Sequence, residues 1–166
     1  KQDSFATFTG NHMIVADGKS YLQANGELSV LDRMRYRKLL PVYKAQAKKE
    51  AGLKKERDQL KVKKSPELPK VEKEYKASSD ALRKIRADIE KCVLWRTPCD
   101  QPYALILAGD ILFSGGNNEV VAYSAKNGKR TWSAPVSGTA LGIAVAHGRL
   151  LVSTDKGPFT VSEQNE

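Results

Sequence analysis

The most numerous side chains of this chain that could take part in binding chemistry are its cations. Residues 33–92 contain 20 of the 28 Lys and Arg but only 9 of the 19 Asp and Glu, so this segment carries a net charge of +11 and the remainder −2. Such a segment could neutralise the phosphates of a nucleic acid or an anionic membrane surface. Acidic residues are interleaved, however, and aromatic residues for base stacking are missing from its outer face. We therefore favour a solvated helical rod that contacts proteins.

Residues typical of catalytic or metal sites are sparse. Cys92, Cys99, His12 and His147 do not have the spacing of zinc ligands. The two cysteines could form a disulfide, but we favour unpaired thiols. Four aspartates lie in or beside predicted turns, where backbone capping explains them without catalysis: Asp17, Asp32, Asp110 and Asp155. We expect no catalytic, cofactor-binding or metal-binding residue in this chain, and no transmembrane segment.

A repeat defines the elements that carry these residues. Residues 15–22, 107–114 and 145–152 each contain a short apolar run, a turn with Gly or Asp, and a second apolar run. The second and third copies lie 38 residues apart, whereas the first and second lie 92 apart. Strands recurring in units of about 40 residues are typical of β-propeller blades, although an ordinary β-sandwich is the alternative. The first unit therefore contains an insertion of about 54 residues beyond the repeat period.

The insertion is predicted to be an antiparallel pair of helices, about 33–63 and 67–92, joined at a turn with Pro66 and Pro69. Apolar residues at alternating steps of three and four form its predicted coiled-coil seam: Leu39, Leu53, Leu60, Leu68, Val71, Tyr75, Leu82, Ile85 and Ile89. In the first helix the same rhythm passes through Val42, Lys49 and Glu56. Pro41 implies a kink there or a helix that begins near Leu40. The predicted fold is mainly β with an α insertion: propeller blades in 1–32 and 93–166, and a basic helical hairpin in 33–92.

One turn and its flanking strands resemble a known family. The sequence from Ala122 to Trp132 resembles the tryptophan-docking motif of pyrroloquinoline-quinone-like (PQQ-like) repeat propellers, Ala-x-Asp-x-x-x-Gly-x-x-x-Trp. The complete copy comprises Ala122, Ser124, Gly128 and Trp132, and the ends of a second copy, split by the insertion, are Val30, Asp32 and Trp95. Ser124 stands where the family has Asp. In that family the Ala packs tightly, the Asp caps the turn and the Trp docks between adjacent blades.

The resemblance implies about 2.5 to 3 four-stranded antiparallel blades, at 12–32 with 93–98, at 104–136, and at 141–162 without its last strand. Closed propellers have four to eight blades. We therefore expect the chain either to be part of a longer propeller or to complete one with a second copy. The resemblance also favours an extracytoplasmic, periplasmic location.

The resemblance leaves three hypotheses for function. Quinoprotein dehydrogenases of this broad family use calcium, the quinone and a catalytic Asp, and no Asp or Glu here matches such a site. We therefore favour a non-catalytic scaffold or protein-interaction module with a projecting coiled-coil arm and no cofactor. The first alternative is a fragment of a quinone-dependent dehydrogenase whose active site lies outside this chain. The second, nucleic-acid or anionic-surface binding through the hairpin, is not favoured.

Overall fold

The computed structural model describes residues 9–161. The chain folds as two compact units. The first, which we call the β unit, consists of the described residues up to Asp32 and from Val93 onward. The second, Arg33–Cys92, is the helical unit.

The β unit consists of ten antiparallel strands in two sheets. The first sheet has the order β1-β2-β3-β4 and the second the order β10-β9-β8-β7-β6-β5. The strands are β1 (His12–Ala16), β2 (Lys19–Ala24), β3 (Glu27–Asp32), β4 (Val93–Pro98), β5 (Ala104–Ala108), β6 (Ile111–Gly115), β7 (Asn117–Ser124), β8 (Arg130–Ala146), β9 (Arg149–Thr154) and β10 (Gly157–Val161). The tight turn after β2 has positive φ at both Asn25 and Gly26, which is the hairpin geometry that Asn-Gly favours. The prediction of a mainly β fold with a helical insertion is confirmed.

In the second sheet, one long strand joins the second and third expected blades. β8 pairs with β7 up to Thr139 and then with β9 from Ala140 onward, so one strand serves the second and third repeat units. The backbone of β8 is continuous across the boundary expected between 136 and 141, and its pairing partner changes from β7 to β9 within that boundary. The pairing shifts register at Asn117/Glu119 and at Ala140/Gly142. Such irregularities bend a strand without interrupting it.

Two hydrophobic cores lie on opposite sides of β7. Its residue Val121 belongs to a core shared with Leu28 of the first sheet and Leu112, whereas Val120 belongs to a second core with Val152 of β9. Successive side chains of a strand point to opposite faces, so β7 contributes to both cores. This layered packing is propeller-like.

The helical unit consists of two helices, α1 (Arg33–Lys63) and α2 (Leu68–Glu90). They are antiparallel: Gln46 donates to the hydroxyl and the carbonyl of Ser78, both at 2.9 Å, and Arg57 lies over the ring of Tyr75 at 4.3 Å. α1 begins at Arg33 and contains Pro41, so it does not start near Leu40. Because Pro41 has no N–H, the carbonyl of Arg37 lacks its intrahelical donor.

The register of α1 differs from the sequence-based pattern at alternate positions. Val42, Lys49 and Glu56 are exposed, while the residues that follow each of them, Tyr43, Glu50 and Arg57, are half-buried. The long side chains of Tyr43 and Arg57 can reach α2, because Arg86 lies 5.8 Å from the ring of Tyr43 and Arg57 covers Tyr75. These cation–π contacts favour this register.

The predicted seam residues lie in covered positions on both helices. Val71 and Leu82 are buried, and the others are half-buried: Leu39, Leu53, Leu60, Leu68, Tyr75, Ile85 and Ile89. α1 contains no fully buried residue. Whether the pair forms a coiled coil stays a prediction.

Candidate functional site

The two copies of the predicted docking motif have the same cross-strand arrangement. Ala122 pairs with Trp132 across β7 and β8, and Val30 pairs with Trp95 across β3 and β4. Val30 and Ala122 are buried. In the second copy, β3 ends at Asp32 and α1 begins at the next residue, so the helical unit stands where the other copy has a turn.

Trp95 is seated on the turn of the complete motif. Its indole Nε1–H donates to the carbonyl of Ala125 at 3.2 Å. Gly128 has a φ of 71°, and a Cβ added there would lie 2.5 Å from Cε3 of Trp95. Glycine is therefore required at this position for two reasons: the backbone is left-handed, and the indole occupies the space that a Cβ would need.

The turn itself is closed by backbone and hydroxyl hydrogen bonds. The Ser124 hydroxyl accepts from the Lys126 N–H at 3.3 Å, and the Gly128 N–H donates to the Ser124 carbonyl at 2.8 Å. A hydroxyl at position 124 can accept the same kind of hydrogen bond as the carboxylate of an Asp. Ser124 is thus positioned to cap this turn.

Trp132 has a different environment from Trp95. It is half-buried and lines an apolar cavity of about 370 Å³ together with Phe113 and Leu150. Arg149 and Thr131 provide polar groups in its lining. The structure brings Trp132 together with the β8–β9 hairpin rather than with a second motif turn.

A buried polar network, which was not predicted from the sequence, connects the two sheets of the β unit. Gln23, 1% exposed, donates from Nε2 to the Gln101 carbonyl, to the Ser114 hydroxyl at 2.8 Å and to the Cys99 sulfur at 3.3 Å. Tyr123 donates its hydroxyl to Gln101 Oε1 at 2.8 Å. Burying polar groups is costly unless they are hydrogen-bonded, so these contacts favour one relative position of the two sheets. A glutamine at an inward position of β2 was the available sequence signal.

Burial perturbs two tyrosines of the β unit. Burial, followed by the neighbouring Cys99, raises the pKa of Tyr123. Burial also raises the pKa of Tyr21, with further contributions from Asp17 and Asp110. Both phenols are therefore held in their neutral form. Neither Cys99 nor Cys92 is part of a disulfide, and both are buried.

A quinone-dependent dehydrogenase needs a calcium site. Within residues 9–161, no three His, Cys, Asp or Glu side chains are grouped so that they could hold a metal ion. These residues consequently do not fit the calcium site of such an enzyme.

No helix in this part of the chain is long and apolar enough to cross a membrane.

The positive charge of the helical unit is concentrated on one helix. α1 has 12 Lys and Arg against 3 Asp and Glu, whereas α2 has 6 against 5. Their net charges are therefore +9 and +1. Three acidic residues of α2, Glu72, Asp80 and Asp88, form ion pairs, as in Arg83–Asp80 at 3.0 Å. Most of the net positive charge of the hairpin therefore lies on α1 and not on α2.

The fold and the docking motif resemble those of propeller-like β proteins with PQQ-like repeats. Residues 92–166 match the family described as outer membrane protein assembly factor BamB. The resemblance to PQQ-like repeat propellers is thereby confirmed for the second part of the chain, whereas residues 12–32 lie outside the match. A comparison with curated proteins gave no match.

Proposed function

We propose that this chain is a non-catalytic, propeller-type scaffold whose helical unit is an arm for protein–protein contact. The observation that carries the proposal is the helical unit itself: a 31-residue helix with no fully buried residue occupies the place of a short turn in the docking motif. A connection between β3 and β4 needs only a few residues. The insertion therefore adds a large exposed surface that the sheet does not require.

The family match supports a contact role rather than a catalytic one. PQQ-like repeats occur both in enzymes and in non-catalytic assembly factors. The family that matches residues 92–166 is described as an assembly factor. The described residues also do not fit a calcium site. A periplasmic location accords with this family and is part of the proposal.

Further blades, or a second copy of the chain, are the proposed partners of the β unit. In β1, Ile14 and Ala16 pack towards the first core while Met13 and Val15 are 53% and 50% exposed. In β8, Leu141 is 55% exposed. Apolar side chains on outward sheet faces are what a neighbouring blade would cover. On this proposal the chain supplies about 2.5 to 3 blades of a larger propeller.

Removal of the arm tests the proposed function. Leu31 pairs with Val93, so the sheet ends there can be joined by a two-residue Asn-Gly turn that replaces residues 32–92. Partners of the full chain are recovered by cross-linking in periplasmic extract, identified by mass spectrometry and purified. Their affinity is then measured for the full chain and for the armless variant. We expect the armless variant to bind its partner at least about tenfold more weakly. A tenfold loss of affinity corresponds to about 1.4 kcal/mol, which is a small part of the binding free energy of an interface.

Tryptophan fluorescence supplies the control, since Trp95 and Trp132 both lie in the β unit and report whether it is folded. A folded armless variant with undiminished affinity for every purified partner would contradict the proposal. Dye reduction by the full chain with added calcium and the quinone would contradict its non-catalytic part.

A further inference from the structure

We propose that the arm binds its partner through one stripe of cations on α1, and that the partner presents an acidic helix. This inference rests on the proposed function and specifies the contact face and the partner's chemistry. The stripe consists of Arg37, Lys44, Lys48 and Lys55. We call it the α1 stripe.

The α1 stripe is straight and free of acidic residues. At 100° per residue its four members fall within about 40° of one another around the helix axis, and they span about 27 Å along it. All four are exposed, and within the described part of the chain none forms an ion pair. The intervening Pro41 and Ala51 are uncharged. The charges of the stripe are consequently not neutralised by the chain itself.

The acidic residues of α1 are not members of the α1 stripe. Asp58 pairs with Arg57 at 2.7 Å, and this hydrogen bond lowers the pKa of the Asp58 carboxyl. Glu50 is half-buried, and both Glu50 and Glu56 fall outside the stripe on the helical wheel. α1 thus presents a positive face next to a nearly neutral α2. This asymmetry points to a partner along α1 rather than around the whole hairpin.

The spacing of the stripe favours an acidic helix over a nucleic acid. Its steps are 7, 4 and 7 residues, a helical repeat that carboxylates at i, i+7, i+11 and i+18 of a second helix reproduce. Base recognition in single strands needs exposed aromatic rings. The three tyrosines of the helical unit, Tyr36, Tyr43 and Tyr75, are half-buried.

The apolar residues of α1 do not favour a membrane surface. Interfacial helices insert a continuous apolar face with Trp, Phe or Leu beside their cations. The exposed large apolar residues of α1 are Met34, Val42 and Val62, of which only Val62 falls on the stripe. Bilayer insertion therefore lacks an apolar face here.

Binding of designed peptides to the full chain tests the inference. The probe is a labelled helical peptide of about 25 residues with Glu at i, i+7, i+11 and i+18 on an Ala/Gln background. Its control has the same composition with the four Glu distributed around the helix. By fluorescence anisotropy at about 20 mM salt, where surface charges are weakly screened, we expect the striped peptide to bind at least about tenfold more tightly.

Matched charge reversals locate the contact. The triple variant Lys44→Glu, Lys48→Glu, Lys55→Glu is expected to lose at least about tenfold in affinity for the striped peptide. The control, Lys70→Glu, Lys73→Glu, Lys84→Glu on α2, has the same change in charge and is expected to lose less than about threefold. Circular dichroism at 222 nm checks that both variants are helical. A Lys→Gln version of each triple serves if either unfolds.

Several results would overturn the inference. Equal binding of the two peptides, or equal losses in the two triple variants, would mean that net charge alone is responsible. Tighter binding to a duplex of about 20 base pairs, or to vesicles with about 30% anionic lipid, would assign the stripe to a nucleic acid or a membrane. If purified partners bind the α1 triple variant normally but not the armless chain, the stripe is wrong and the proposed function stands.

Discussion

The β unit and the helical unit solve opposite physical problems. In the β unit, two cores and a buried polar network occupy the interior, and side chains such as Leu28, Leu112 and Val120 have no exposed surface. Of the two helices, only α2 contributes buried side chains, and α1 carries a charge of +9 on residues that are at most half-buried. Burial provides stability, whereas unneutralised exposed charge opposes compaction and favours association. The exposed surface of α1 contributes little to folding, and we therefore interpret it as a binding surface.

The largest expected effect is loss of a buried leucine in the β unit. Leu112→Ala removes a fully buried side chain from the first core and should lower the free energy of unfolding by about 3 kcal/mol. Leu53→Ala, at a half-buried position of α1, should cost about 1 kcal/mol. Urea unfolding is followed by tryptophan fluorescence for the β unit and by circular dichroism at 222 nm for the helices. Equal losses of unfolding free energy in the two variants would contradict the proposed difference in stability between the β unit and the helical unit.

The second effect concerns the seat of Trp95 in the docking motif. Gly128→Ala should cost about 2–3 kcal/mol, since it adds a contact with the indole to the cost of a positive φ. Gly109→Ala is the matched control: its φ is 57°, and nothing lies within 4 Å of the added Cβ, so about 1 kcal/mol is expected. Both costs are measured by urea unfolding of the β unit.

The same pair of residues allows a double-mutant cycle. In a Trp95→Ala background, Gly128→Ala should cost only about as much as Gly109→Ala, because the ring is gone. An unchanged cost in that background would show that Trp95 does not occupy the turn in solution.

The third effect tests the buried polar network. Gln23→Leu removes the donor that serves Ser114, Cys99 and the Gln101 carbonyl, so we expect a loss of about 2 kcal/mol in the unfolding of the β unit. Gln59→Leu, at an exposed position of α1, should change stability by less than about 0.5 kcal/mol. A neutral Gln23→Leu variant would mean that the network does not join the sheets.

The smallest effect is the dependence of the β unit on alkaline pH. The pKa of Tyr123 is raised above its ordinary value of 10.0, so the unfolded chain releases this proton first as pH rises. Stability from the neutral phenol is complete below pH 10 and is lost as pH rises through and above it. Tyr123→Phe should reduce the slope of unfolding free energy against pH on the alkaline side of 10.0. An identical slope in this variant would contradict the assignment.

The sequence predicted the elements better than their contacts. Apolar alternation located the strands, and the steps of three and four located both helices, since these signals are local. The repeat alignment divided β8 between two blades, whereas the strand is continuous and changes its pairing partner from β7 to β9 between Thr139 and Ala140. Local periodicity could not locate the contact between Gln23 and Ser114, which lie 91 residues apart.

The register of α1 was difficult to predict for a related reason. With few apolar residues, its covered face is determined by Tyr43 and Arg57 reaching α2, and a periodicity rule for apolar residues does not count Arg57. Because α1 has few apolar residues to bury, the cationic side chains of the α1 stripe stay exposed.

Hydrogen–deuterium exchange of the full chain, alone and with a purified partner, tests the division between scaffold and arm most directly. We predict that partner binding slows exchange at the amides of α1, between Arg37 and Lys55, and leaves those of β7 unchanged. Slower exchange in the β unit with no change in α1 would contradict the account.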